Sequence, residues 1–275
     1  MKFRQFKQLC QAALLTGSLL GLGVTAQAAQ IRTDIIMIVD ESGSMSNVQA
    51  NLRNNIGLFA SILSAGGVDA RYGLVGYGNG AAVPRLVTDL TNPAGFAAAA
   101  AGLVSSGSAE PGYTASAFAL NALDGQSSLF SFRPDAVLNI IIFTDEPSNG
   151  DTIGRGAVGG SAVTASILDD LLKDNNALYN AVLDGSSTIN SYKALAEGNH
   201  GQVFNLLGLN TTNQTVVENF VTAFATAKLQ ETIDFCTANP TAPGCQPSQV
   251  PEPGVLALVG LGLLGFGFAR RRQAR

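Results

Sequence analysis

Two short runs constrain this chain more than anything else in it. Residues 35–39 (Ile-Ile-Met-Ile-Val) and 136–143 (Ala-Val-Leu-Asn-Ile-Ile-Ile-Phe) are apolar almost without a break. A strand with one face in water alternates apolar and polar side chains, so a strand apolar at nearly every position must be covered on both faces. Strands of that kind belong to parallel sheets, whose crossover connections lay helices on each side. Both runs stop abruptly on polar residues, the first on Asp40 to Ser44 and the second on Thr144-Asp145.

The intervening chain supplies the crossovers. Residues 45–63 carry Val48, Leu52, Ile56, Phe59 and either Ile62 or Leu63 at helical spacing, and Gly66-Gly67 ends that helix. Further strands are expected at 70–77, 82–90, 177–183 and 202–206, and further helices at 93–104, 114–123, 163–173, 189–197 and 216–232. Strands alternating with helices imply an α/β fold. A doubly wound, mostly parallel sheet flanked by helices is expected, in one domain over residues 30–235. Ligands of such sheets bind at the carboxyl ends of the strands, where the winding direction switches. Three polar loops fall there: Asp40-Glu41-Ser42-Gly43-Ser44, the stretch from Glu110 to Thr114, and Asp145 with Glu146. Glu41 and Glu146 are expected to face solvent at the rim. The Gly-rich residues 147–160, with Asp151 and Arg155, are expected to be an ordinary flexible loop bordering the site.

The two ends read as addresses. Lys2, Arg4 and Lys7 precede an apolar stretch over 12–24 and the small-x-small triplet Ala26-Gln27-Ala28. That order is a secretory signal peptide over 1–28. The far end holds Pro251-Glu252-Pro253, an apolar run over 254–269 and then Arg270-Arg271-Arg272. Sixteen residues make a helix of about 24 Å, short of a hydrocarbon core of about 30 Å. Snorkelling arginines extend its reach and hold it with the positive end in the cytoplasm, so a transmembrane segment is expected. The end segments take with them seven of the 16 basic residues but, of the 20 acidic ones, only Glu252. The body keeps 9 basic and 19 acidic side chains, a net charge of −10. A body this acidic repels nucleic acid and anionic lipid and suits divalent cations. Cys10 lies within the signal peptide, which leaves Cys236 and Cys245 in a Pro-rich linker over 236–250. In an oxidising compartment they are expected to close one small disulfide loop; two thiols alone are half of a tetrahedral metal set.

The tail, from Val250 to Arg275, resembles the PEP-CTERM sorting signal of Gram-negative bacteria. The resemblance implies handling by an exosortase-type processing enzyme at Pro251-Glu252-Pro253. It also implies at least transient residence in the inner membrane, then the cell surface or the extracellular matrix.

The polar loops carry a second resemblance. Magnesium takes six oxygens, keeps much of its water and needs few protein carboxylates. Hydroxyls at alternate positions of a turn can supply neutral ligands, with carboxylates holding the waters. Asp40-x-Ser42-x-Ser44 after one buried strand, and Asp145 after another, resemble the metal-ion-dependent adhesion site of von Willebrand factor type A (vWA) domains. The resemblance implies that Ser42 and Ser44 bind Mg²⁺ (or Mn²⁺ or Ca²⁺) directly and that Asp40 and Asp145 act through water. The family's distant threonine is matched by Thr114, with Glu110 as its rival, because Glu110-Pro111-Gly112-Tyr113-Thr114 replaces the usual Gly-Gly-Thr. Capping of a helix start by Ser42 or Ser44 is the structural alternative, but it does not account for Asp40 and Asp145 together. A nucleophilic Ser44 lacks the flanking glycines of a strand-turn-helix elbow, and the lone His200 lies in a polar turn. The expected function is therefore not enzymatic. It is cation-dependent binding of a protein or glycan that offers a carboxylate. The alternative is a structural envelope or matrix component that needs no metal.

Overall fold

The two apolar runs lie side by side at the centre of a six-stranded sheet of order β3-β2-β1-β4-β7-β8. In the computed structural model, which describes residues 30–80, 83–107 and 109–245, β1 spans Ile31–Asp40 and β4 Val137–Thr144, paired in parallel with Val39 opposite Phe143. Beyond them lie β2 (Val68–Tyr77), β3 (Arg85–Thr91), β7 (Leu178–Leu183) and β8 (Val203–Asn205). All pairings are parallel except β2 with β3, which closes one edge antiparallel. The two remaining strands, β5 (Ala157–Val158) and β6 (Ser161–Ala162), form a separate small hairpin.

The alternation along β1 shows why its sequence has no polar gap. Ile35, Met37 and Val39 face one layer, with α1 (Ser46–Ala65), α2 (Pro93–Ala100) and α6 (Gln214–Ala238). Ile36 and Ile38 face the other, with α3 (Gly112–Ala119), α4 (Ala165–Asp174) and α5 (Ser186–Gly198). Helices on both faces leave no position of β1 in water from Thr33 to Asp40. On α1 the expected stripe Val48, Leu52, Ile56, Phe59 is buried, and Leu63 rather than Ile62 completes it. Side-chain caps fix three helix starts: Asn92 accepts from Gly95 N, Thr164 from Ile167 N, and Asn213 from Thr215 N and Val216 N.

Elements buried on one side depart most from expectation. The third strand begins at Arg85 rather than 82 and is half-buried throughout, as an edge strand is. The helix expected over 93–104 stops at Ala100. The last helix runs on to Ala238, six residues past its expected end, so Cys236 belongs to a helix rather than to the Pro-rich linker. Cys236 is bonded to Cys245 as expected. The loop they close docks on the amino-terminal ends of the central strands, where Gly244 O accepts from Arg32 N at 3.1 Å. Among the described residues no helix is long and apolar enough to cross a membrane. The expected signal peptide, the sorting motif Pro251, Glu252, Pro253, Arg270, Arg271, Arg272 and the span 254–269 lie outside the described residues.

Candidate metal centre

The sheet's winding reverses at β1, which has β2 on one side and β4 on the other. The carboxyl ends of β1 and β4 therefore open into one crevice. Register places Asp40 level with Thr144 and sets Asp145 one residue beyond. Asp40 is fully buried and bridges the two strand ends: its Oδ1 accepts from Ser42 N at 2.7 Å and its Oδ2 from Thr144 Oγ1 at 2.8 Å. Burial pushes the Asp40 carboxyl up to about 7, eased by those two donors and reinforced by the negative charge of Glu110. Partial desolvation at the crevice mouth also raises the Glu146 carboxyl, as do the charges of Glu110 and Asp145. The fold thus gathers Asp40, Glu110, Asp145 and Glu146 into one acidic neighbourhood.

The two serine hydroxyls of the turn are close neighbours. Ser42 Oγ and Ser44 Oγ lie 3.1 Å apart. Two oxygens each about 2.1 Å from a small dication, on neighbouring octahedral positions, are about 3.0 Å from one another. Neither serine caps a helix by its side chain: the short 3-10 turn Gly43–Met45 and α1 both start without a side-chain capping bond. The capping alternative therefore does not account for the hydroxyls. Asp145 Oδ1 is buried and has no hydrogen-bond partner. A buried carboxylate oxygen without a donor is costly, and a cation or its water would supply what is missing. Among the described residues no group of three His, Cys, Asp or Glu side chains is placed to hold a metal ion. Ser42, Ser44 and Asp145 fit a hard divalent cation.

Neither rival for the remaining ligand is free. Thr114, fully buried, donates from both its backbone N (2.8 Å) and its Oγ1 (2.7 Å) to Asp151 Oδ1. Ser148 Oγ donates to the other oxygen of Asp151 at 2.6 Å. Glu110 Oε2 accepts from Asn149 Nδ2 at 2.8 Å. Thr114 bonded to a carboxylate still has lone pairs for a cation, whereas Glu110 acts on Asp40 by charge. Sequence reasoning named Asp151 but took it, with the rest of 147–160, for an ordinary flexible loop, and it missed Ser148 and Asn149. The signal was there in part: three hydrogen-bonding side chains within four residues, following the strand end at Asp145.

Glu41 corrects another expectation. It is fully buried, not on the rim, and its carboxylate accepts from Arg85 Nε at 3.0 Å, from Arg85 Nη2 and from Val104 N. Its own carbonyl accepts from Ser106 N and Gly107 N. Glu41 thereby ties the end of β1 to the edge strand and to the loop after α2. Gly107 is needed where that loop meets the end of β2, since a Cβ there would fall 1.8 Å from Gly78 O. Gly112 likewise admits the Tyr192 hydroxyl, which a Cβ would approach to 1.9 Å. Glu146 is exposed, as expected.

The family model for the von Willebrand factor type A domain matches residues 34–214. The chain belongs to the vWA family. The matched segment begins inside β1 and ends at the first residue of α6, so it contains all of the six-stranded sheet except the first three residues of β1, and every residue of the crevice. The PEP-CTERM protein-sorting motif matches residues 249–272. That motif implies export in Gram-negative bacteria and recognition by an exosortase-type processing enzyme, so this vWA protein is an exported surface protein. No curated protein matches the chain.

Proposed function

We propose that this vWA domain holds Mg²⁺, or Mn²⁺ or Ca²⁺ in its place, and uses it to bind an acidic group on a protein or glycan of the envelope or matrix. The observation that carries the reading is the Ser42–Ser44 hydroxyl pair, 3.1 Å apart and unused in capping, beside the orphaned Asp145 Oδ1. Ser42, Ser44 and Thr114 or Glu110 would hold the cation; Asp40 and Asp145 would hold its waters. Neutral hydroxyl ligands leave a dication under-neutralised, so the bound ion supplies a Lewis-acidic position for a partner's carboxylate. The body's charge of −10 makes nucleic acid an unfavourable partner.

Binding rather than catalysis is supported by the surroundings of Ser44. Its hydroxyl bonds to Ser42, while the lone histidine, His200, packs edge-on against Phe235 in α6. Titration calorimetry with Mg²⁺ on the parent protein and on Asp40→Ala and Asp145→Ala tests the proposal. Saturable binding that both substitutions weaken by tenfold or more is expected; a parent protein that takes up no cation would sink it. The alternative, a surface component that works without metal, gains if EDTA leaves surface retention and partner capture unchanged.

A further inference from the structure

A second polar cluster lies toward the amino-terminal ends of the strands, away from the crevice. Lys228 on α6 is fully buried. Its Nζ donates to Asn139 Oδ1 on β4 at 2.5 Å and also to Glu231 Oε1. Asn180 on β7 donates from Nδ2 to the same Glu231 oxygen at 3.0 Å, while its Oδ1 accepts from Gln202 N. Asn139 and Asn180 are 0% exposed and Glu231 7%. Burial draws the Lys228 amine below its ordinary range, against the pull of Glu231. Two atoms of the cluster have no partner: Asn139 Nδ2 and Glu231 Oε2. A buried network kept only for structure normally satisfies all its members, because each orphan forfeits its hydration.

We propose that Lys228 and Asn139 become joined by an intramolecular isopeptide bond, with Glu231 as the proton carrier. The geometry places nucleophile and electrophile in contact. With Nζ 2.5 Å from Oδ1 and a carbonyl bond of about 1.23 Å, Nζ is within about 3.7 Å of Asn139 Cγ. In a desolvated pair the proton is better placed on the carboxylate, which leaves a neutral amine and a neutral acid. Neutral Glu231 gives its proton to Asn139 Oδ1 as the Nζ lone pair adds to Cγ, and the resulting carboxylate takes one proton from Nζ. Glu231 delivers that proton to Nδ2, the Cγ–Nδ2 bond breaks as the Oδ1 proton returns to Glu231, and one ammonia leaves. The Nζ–Cγ amide remains and Glu231 is regenerated, so no oxidant or cofactor is consumed. The two orphaned atoms are the ones this sequence needs: a carboxyl oxygen to carry the proton and an amide nitrogen to depart. Asn180 is not the electrophile, since both ends of its carboxamide are engaged; it holds Glu231. Glu231 also lines a surface groove with His200, Gln202 and Asp234, through which ammonia can escape.

The bond would tie the central strand to α6 across 89 positions of sequence. Together with Cys236–Cys245 it would join the segment before the sorting motif to the sheet by a link that reductants do not open. The test is the intact mass of the purified, disulfide-bonded protein, compared with the sequence between its own measured termini. The expected mass is short by one ammonia beyond the two hydrogens of the disulfide. A digest is expected to give a branched peptide joining the segment with Asn139 to the segment with Lys228. Lys228→Arg and Glu231→Gln should restore the full mass and the linear peptides. A parent protein of full mass overturns the proposal, as does loss of ammonia with only linear peptides, which marks a cyclised asparagine instead. If the variants do not fold, the digest of the parent protein decides alone.

Discussion

Asp40 has two roles that oppose each other in the absence of a cation. Its carboxylate accepts from Ser42 N and Thr144 Oγ1 and so shapes the crevice, yet it is fully buried beside other carboxylates. Its pKa is raised from 3.8 to about 7, so the folded protein keeps a proton that the unfolded chain releases across that window. Protons bound in the folded state exceed those in the unfolded state there, and stability falls as pH rises. The contribution is fully present below about pH 4 and is lost as pH passes about 7. In EDTA, Asp40→Asn should therefore raise stability at pH 8 by about 1–3 kcal/mol, less than the full shift implies because Asn replaces one acceptor with a donor. The gain should vanish near pH 4, and Mg²⁺ should stabilise the parent but not the variant. Thermal melts over pH 4–8 check this; a variant less stable than its parent at pH 8 without metal would refute it. The same scale decides between Glu110 and Thr114. If Thr114 is the ligand, Thr114→Ala should weaken Mg²⁺ binding about 10–100-fold and Glu110→Gln far less. The reverse order assigns Glu110, and calorimetry reads it directly.

At the scale of elements, Glu41 and Arg85 decide whether the crevice keeps its shape. Glu41 belongs to β1's terminal turn and Arg85 to the start of β3, two strands away. Removing Arg85 leaves a carboxylate fully buried with only Val104 N as donor. Because Arg85 itself is partly exposed, the cost of Arg85→Ala should be about 2–3 kcal/mol, below that of a fully enclosed pair. Glu41→Gln should be milder, since it removes the charge together with the need for its partner. Chemical denaturation of both variants distinguishes this pair from an ordinary surface contact, for which both would be near neutral. Elements of this kind were the hardest to foresee from sequence. β1 and β4 were legible because burial on both faces writes itself into every residue, and Asp40, Ser42, Ser44 and Asp145 were legible because they follow those strands. β3 was displaced because an edge strand mixes apolar and polar side chains without a clean period. Glu41 was misplaced because a glutamate is ordinarily exposed, and its burial depends on an arginine 44 positions away. The ties of Asp151 to Thr114 and of Asn149 to Glu110 span 37 and 39 positions. No local pattern reports contacts at such separations.

Across the whole molecule the described residues have two poles. The carboxyl ends of the strands hold the crevice, and the opposite ends hold the disulfide loop, with Gly244 against Arg32 at the start of β1. The eight steps along β1 from Arg32 to Asp40, at about 3.3 Å each, put roughly 26 Å between them. In the sequence the sorting motif follows Cys245 within a few residues, and Cys245 itself lies at the pole away from the candidate metal site. That separation predicts that the two poles are energetically independent, because substitutions well over 10 Å apart without shared partners act independently. Joining Cys236 to Cys245 closes a loop of nine positions, worth about 2.5 kcal/mol in chain entropy. The double variant Cys236→Ser with Cys245→Ser should lose about that much stability in denaturant while its Mg²⁺ affinity stays within twofold of the parent. A parallel fall in cation affinity would mean that α6 transmits the state of the loop to the crevice along its length, and that the poles form one cooperative unit rather than two.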